Sequence, residues 1–141
     1  MAGGTFDGMR IAEFAFPGPL RDGLVAAILR GDKTATAGLA AEYEEDGEPV
    51  PEPGELQVVV DSEGRVVAVI ETTEVALVRA GDVDERFARD EGEGFETVAD
   101  WRAAHERFFG GYRNEPFTDD TLIVAERFRL VEVYAEPKPA K

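Results

Sequence analysis

Leu56 to Val60 and Val66 to Ile70 are two short apolar runs separated only by Asp61-Ser62-Glu63-Gly64. A polar link that ends in glycine between β-rich runs reads as a hairpin, so the two strands are expected to pair antiparallel. The second run continues through Thr72, Thr73 and Val75 toward Val78, and a long closing strand is expected from Leu122 to Tyr134. Helical signals flank these strands without the regular βα alternation of a doubly wound sheet, and no glycine-rich phosphate fingerprint is present. An α+β fold follows.

The first helix starts near Pro19, a residue suited to a first turn, and Leu20, Leu24, Val25, Ile28 and Leu29 recur at the spacing of one stripe. Gly31 fits its stop signal. Asp82-Val83-Asp84-Glu85 resembles a capping box that opens a short helix through Phe87 and Ala88, and that helix breaks near Gly92 and Gly94. Asp90, Glu91 and Glu93 crowd its C-terminal end, where the helix dipole repels anions. Thr97 with Asp100 reads as another cap, ahead of a helix whose face carries Val98, Trp101, His105 and Phe108. His105, the single histidine, is expected to be a hydrogen-bonded core or boundary residue.

Chemistry concentrates in Gly31-Asp32-Lys33-Thr34-Ala35-Thr36, which places one amine and two hydroxyls directly after a helix end. Burial would make the amine of Lys33 a base, whereas the helix end favours its charged form. Residues three apart on a regular strand point to opposite faces, so Lys33 and Thr36 can cooperate only across a turn or bulge. Glu42 to Gly54, with Pro49, Pro51 and Pro53, is expected as a long polar loop, either a lid or a disordered insertion. Tyr43 is its candidate for stacking on a base. Glu71 and Glu74 are the polar exceptions in their strand and face opposite sides, which makes Glu71 a candidate for looking into a cavity. Arg127 and Arg129 share one side of the last strand, where Arg79, Arg102, Arg107 and Arg113 could join them in a basic face.

Composition narrows the partners. The 141 residues hold 30 acidic and 15 basic side chains, a net charge of -15, so non-specific binding to long RNA is disfavoured and a nucleoside or other small ligand is favoured. A hydrophobic content of 43% supports one ordinary core. There is no cysteine for disulfides or thiolate chemistry, and no apolar run long enough for a membrane span or signal peptide, which points to a cytoplasmic protein. The acidic clusters lack the alternating spacing of a calcium loop, so no metal and no other cofactor is expected. The single domain is expected over residues 9–134, between flexible ends at 1–8 and 135–141.

Four blocks together resemble the ASCH (activating signal cointegrator homology) domain family. They are Glu13-Phe14-Ala15-Phe16-Pro17-Gly18-Pro19-Leu20, Gly31-x-Lys33-Thr34-x-Thr36, Phe87-Ala88-Arg89-Asp90-Glu91-Gly92-Glu93-Gly94, and Asp100-Trp101-Arg102-Ala103-Ala104-His105. The resemblance spans residues 10 to 134 and implies a small PUA-like β-barrel flanked by helices. It also implies binding of RNA or nucleotides or, in some small bacterial members, amide hydrolysis that removes the acetyl group from the exocyclic amine of acetylcytidine. Carried over by motif, the catalytic set is Lys33 as base, Thr36 as nucleophile and Glu91 as proton shuttle, with Asp90 and Glu93 as alternatives for the glutamate. Thr34, Tyr43, Glu71 and Arg127 are the candidate substrate-binding residues. The rival expectation is a non-catalytic RNA- or nucleotide-binding module, or a ribonuclease, that uses the same cavity.

Overall fold

The computed structural model describes residues 5–139. In chain order the elements are β1 (Thr5–Phe6), β2 (Met9–Ala12), α1 (Pro19–Arg30), β3 (Ala35–Leu39), α2 (Ala40–Asp46), β4 (Leu56–Val60), β5 (Arg65–Arg79), α3 (Glu85–Asp90), α4 (Val98–Gly110) and β6 (Leu122–Pro139). One six-stranded mixed sheet runs β1-β2-β4-β5-β6-β3. Only β2 and β4 pair in parallel; every other neighbouring pair is antiparallel, including the expected β4–β5 hairpin. Asp61 closes that hairpin, its carboxylate accepting the backbone N–H groups of Glu63 and Arg65.

Two expectations about the architecture change. The sheet is not a closed barrel: β3 pairs only with β6, and the two ends of the sheet, β1 and β3, do not meet. Three register shifts along β5 and β6 bend this long pair, because a bulge sharpens local twist, and so curl the sheet around a cavity without closing it. Part of the 42–54 segment is helix α2, not loop. The ends expected to be flexible fall partly outside the described residues; of the parts described, residues 5–6 form β1, and β6 continues to Pro139, which pairs with Arg65.

Alternation explains the core. In β4, Val58 and Val60 pack with Val66 and Val69 on one face, while Val59 packs with Phe14, Val25, Ile28, Ile70 and Phe128 on the other. A strand buried on both faces reads as the unbroken apolar run seen in the sequence. A third cluster joins α3 and α4 to the sheet through Phe87, Ala88, Trp101, Phe109, Ala35 and Ile123.

Helix α1 ends as expected at Gly31, whose left-handed backbone (φ 86) lets its N–H reach the carbonyls of Ala27 and Ile28. Its buried face is rotated from the expected stripe, with Leu20 and Leu29 exposed and Arg21 inside. That guanidinium donates to the carbonyls of Phe14, Ala15 and Asp61 and pairs with Glu13 at 3.3 Å, so the buried charge is fully met. It thereby fixes the segment leading into α1 against the β4–β5 turn.

The turn after α3 presses on the segment after α1. Gly92 has φ +70, and a Cβ there would sit 2.5 Å from the carbonyl oxygen of Asp32 and 2.6 Å from Cα of Lys33. Gly94 has φ +87 with open space around it. Gly92→Ala is therefore expected to cost about 2–5 kcal/mol, from left-handed strain plus overpacking, and Gly94→Ala about 1–2 kcal/mol, from strain alone. Urea unfolding of the two variants checks the contrast; equal losses would contradict it.

Candidate active site

Lys33 lies in the four residues between α1 and β3, and backbone hydrogen bonds hold it there. The N–H groups of Asp32 and Lys33 donate to the carbonyl of Ala27, Thr34 N–H donates to the carbonyl of Asp90 at 2.8 Å, and Phe128 N–H donates to the carbonyl of Thr34 at 3.0 Å. The geometric demand on Lys33 and Thr36 is met in this way. Lys33 precedes the strand and Thr36 is inside it, and both face one cavity of about 610 Å³. That volume falls in the range of about 300–1,000 Å³ typical of small-molecule sites.

Lys33 is 2% exposed. An ammonium has three donors, and all three are met: Nζ donates to the carbonyl of Ala35 at 2.9 Å, to the carbonyl of Glu91 at 3.2 Å and to the carboxylate of Glu93 at 3.3 Å. The carboxylate of Glu91 lies 3.7 Å away, and the ring of Phe14 lies beneath at 5.8 Å.

Glu91 is the capping residue of α3, directed inward, and it is enclosed. Its Oε2 accepts from the indole N–H of Trp101, while its Oε1 lies 3.5 Å from Nε2 of His105. Nδ1 of His105 is 2.7 Å from the carbonyl of Trp101, one turn back along α4, and the imidazole stacks on the indole at 4.2 Å. Burial alone would push the Glu91 carboxyl up, but His105, Lys33 and Trp101 outweigh it and hold the group below the usual carboxylate range. The partner effect on His105 is the mirror image. Burial pushes the imidazole down, and Glu91 more than restores it. Glu93 differs because burial and the neighbouring Glu91 charge raise it against the pull of Lys33.

A second polar group lies on the strands. Thr36 of β3 pairs directly with Glu126 of β6, so the two side chains are cross-strand neighbours on one face. Oε2 of Glu126 accepts from Nε2 of Gln57 and from the hydroxyl of Thr72, both at 2.8 Å. Burial raises this carboxyl, with Thr72 and Gln57 opposing. Tyr43 of α2 packs over Gly38, where a Cβ would come within 3.3 Å of its ring, and burial followed by the charge of Glu126 pushes its hydroxyl up to about 12. Arg10 reaches the cavity from β2 already bound to Glu55 and the carbonyl of Pro49. Phe16, Phe108 and Tyr112 form an aromatic rim, with ring centroids 5.1–6.0 Å apart.

Of the residues expected from sequence, Lys33, Thr36, Glu91 and Tyr43 line this cavity, together with Glu93. The others do not. Thr34 hydrogen-bonds the carbonyl of Asp90, Glu71 pairs with Arg129 at 2.5 Å, and Arg127 pairs with Asp90 at 2.5 Å on the far side of the loop. The same pair removes Asp90 as an alternative to Glu91 within the cavity. Arg79, Arg102 and Arg113 are bound to Asp120, Asp119 and Glu45, so these arginines form no free basic face. His105 is hydrogen-bonded and buried as expected, yet it also belongs to the site. Gln57 and Glu126 carried a readable signal that the sequence analysis missed: each is a polar residue two positions from a core residue, Val59 or Phe128, on the same face.

Because the chain has one histidine, its imidazole proton resonance needs no assignment. His105 is expected to titrate above 6.5, its ordinary value, and replacing Glu91 with glutamine is expected to bring it down. The stability that this contact contributes is present below about pH 6.5 and is lost as pH rises through the higher folded value. A titration at or below 6.5 in the native protein would contradict the contact.

The family model for the ASCH domain matches residues 13–132. An ASCH domain of Lactobacillus crispatus JV V101 superposes with a TM-score of 0.74 at 35% identity, covering 85% of this chain and 79% of that one. A protein of Enterococcus faecalis V583 superposes at 0.70 with 30% identity, covering 79% of this chain and 69% of that one. An ASCH protein of Zymomonas mobilis, at 11% identity and a TM-score of 0.54 over 89% of this chain and 72% of that one, shares the fold alone. No curated protein matches the chain significantly. The family match over most of the chain and the two closer structures establish that this protein belongs to the ASCH domain family.

Proposed function

We propose that the protein is an amide hydrolase acting on an acylated nucleoside, with N4-acetylcytidine as the representative substrate. The observation that carries the reading is the convergence of a buried amine, a free hydroxyl and a carboxyl of raised pKa on one cavity. Among the described residues no protein group hydrogen-bonds the hydroxyl of Thr36, which leaves it available to a ligand.

The proton inventory closes without a cofactor. Lys33 starts as the ammonium and Glu93 as the carboxylate, 3.3 Å apart. Transfer of one proton across that contact leaves a neutral amine and a protonated Glu93, and the burial that raises Glu93 lowers the cost of that step. The amine takes the hydroxyl proton of Thr36 as its oxygen attacks the acyl carbon, and Glu93 gives its proton to the leaving nitrogen as the C–N bond breaks. Lys33 is again an ammonium and Glu93 again a carboxylate, with the acyl group on Thr36. After the same proton transfer from Lys33 to Glu93, water attacks the ester carbon and loses a proton to the amine, while Glu93 gives its proton to the departing Oγ of Thr36 and the acid is released.

Glu91 fits a different part in this scheme. Trp101, His105 and Lys33 occupy its oxygens, so it orients Lys33 and balances its charge, while the proton passes through Glu93. The RNA-binding and ribonuclease readings find less support, because several arginines that could hold phosphates are bound to carboxylates and the chain carries a net charge of -15.

Release of cytidine from N4-acetylcytidine tests the proposal. Thr36→Val should lower kcat/KM by about 100-fold or more while leaving the thermal midpoint near that of the native protein. Turnover should change little between low and high salt, as a neutral substrate requires. Full activity in Thr36→Val would exclude the threonine nucleophile, and no turnover at high enzyme concentration would sink this substrate.

A further inference from the structure

The carboxylate of Glu126 is buried in the cavity wall, yet only half of it is used. Gln57 and Thr72 both donate to Oε2. Oε1 has no hydrogen-bond partner among the described residues, and every enclosed side-chain polar atom among them does have one. Oε1 therefore opens on the cavity that Glu126 lines. An acceptor held by two fixed donors is costly to leave unmatched once a ligand displaces solvent from it, and geometrically precise when matched.

We propose that Glu126 determines base specificity: its Oε1 accepts a hydrogen bond from the exocyclic N–H at position 4 of a pyrimidine, so the cavity takes 4-amino bases and rejects 4-oxo bases. This rests on the hydrolase reading above and deepens it. Thr36 is the cross-strand neighbour of Glu126, so a nitrogen held on Oε1 has its acyl substituent beside the hydroxyl of Thr36. An N4-acylated cytidine keeps one N–H on that nitrogen, and the released cytidine has two, so substrate and product both satisfy the carboxylate. Uridine presents an oxygen at the same place, and two acceptors facing each other repel.

Equilibrium binding of cytidine, uridine and N4,N4-dimethylcytidine to the full chain, followed by calorimetry, tests this without turnover. Cytidine should bind about tenfold more tightly than uridine or more, and the dimethylated base, which has no N–H to offer, should lose the same factor. Glu126→Gln should bring cytidine and uridine to parity, because an amide offers both a donor and an acceptor. The dimethyl comparison uses the native protein and so stands even if the variant fails to fold. Equal binding of the three bases, a preference that survives Glu126→Gln, or no binding of cytidine at all would overturn the proposal. A clear cytidine preference without hydrolysis would support the role of Glu126 while removing the hydrolase reading.

Discussion

A buried ammonium requires everything around it to be in place. Lys33 is enclosed between the end of α1, the start of β3 and the turn after α3, and its three donors find acceptors only because those segments meet. Each positioning feature can be traced to a local cause. Gly31 turns the chain inward, Gly92 has no side chain where the two backbones touch, and the carbonyl of Asp90 fixes Thr34. An ammonium in such a place without acceptors would cost several kcal/mol, so the site and the local fold are one structure. The same argument reaches α4, since Glu91 faces Lys33 on one side and Trp101 and His105 on the other.

The sheet supplies the other half of the site. The bulged pair of long strands curls so that β2, β4, β5, β6 and β3 all present residues to one cavity, and the sheet stays open because its ends, β1 and β3, do not pair. Side chains that face each other by strand register then become chemical neighbours, as Thr36 and Glu126 do. The cavity thus has two polar ends with different tasks. Lys33, Glu91, Glu93 and His105 form a charged end, to which the proposed mechanism gives the proton transfers, while Glu126, Gln57 and Thr72 form a fixed hydrogen-bonding end.

Local signals in the sequence are legible where one segment determines the outcome. The Asp61 turn, the Gly31 stop and the Thr97 cap follow from residue types that act on their own backbone. The burial of Lys33 is not legible in the same way, because a solvated lysine at a helix end fits the sequence equally well until Glu91 and Glu93, about sixty residues away, supply its acceptors. Three features were hidden because they depend on segments far apart in sequence. Arg21 looks like a surface residue until the carbonyls it caps are brought from Phe14 to Asp61. Arg127 looks like a phosphate contact until Asp90 meets it. Barrel closure was an inference from kinship, and the short strands at the sheet ends do not complete it. Glu126 was legible in principle, since a carboxylate in register with Phe128 on a buried strand face is an anomaly that calls for a partner.

The central claim is that this cavity holds the base of a nucleoside with its exocyclic nitrogen between the two polar ends. A crystal structure of the protein with cytidine tests it most directly. The account predicts the base inside the cavity, with its N4 within hydrogen-bond distance of Oε1 of Glu126 and on the side facing the hydroxyl of Thr36. A base bound outside the cavity, or inside it with N4 turned away from both Glu126 and Thr36, would contradict it.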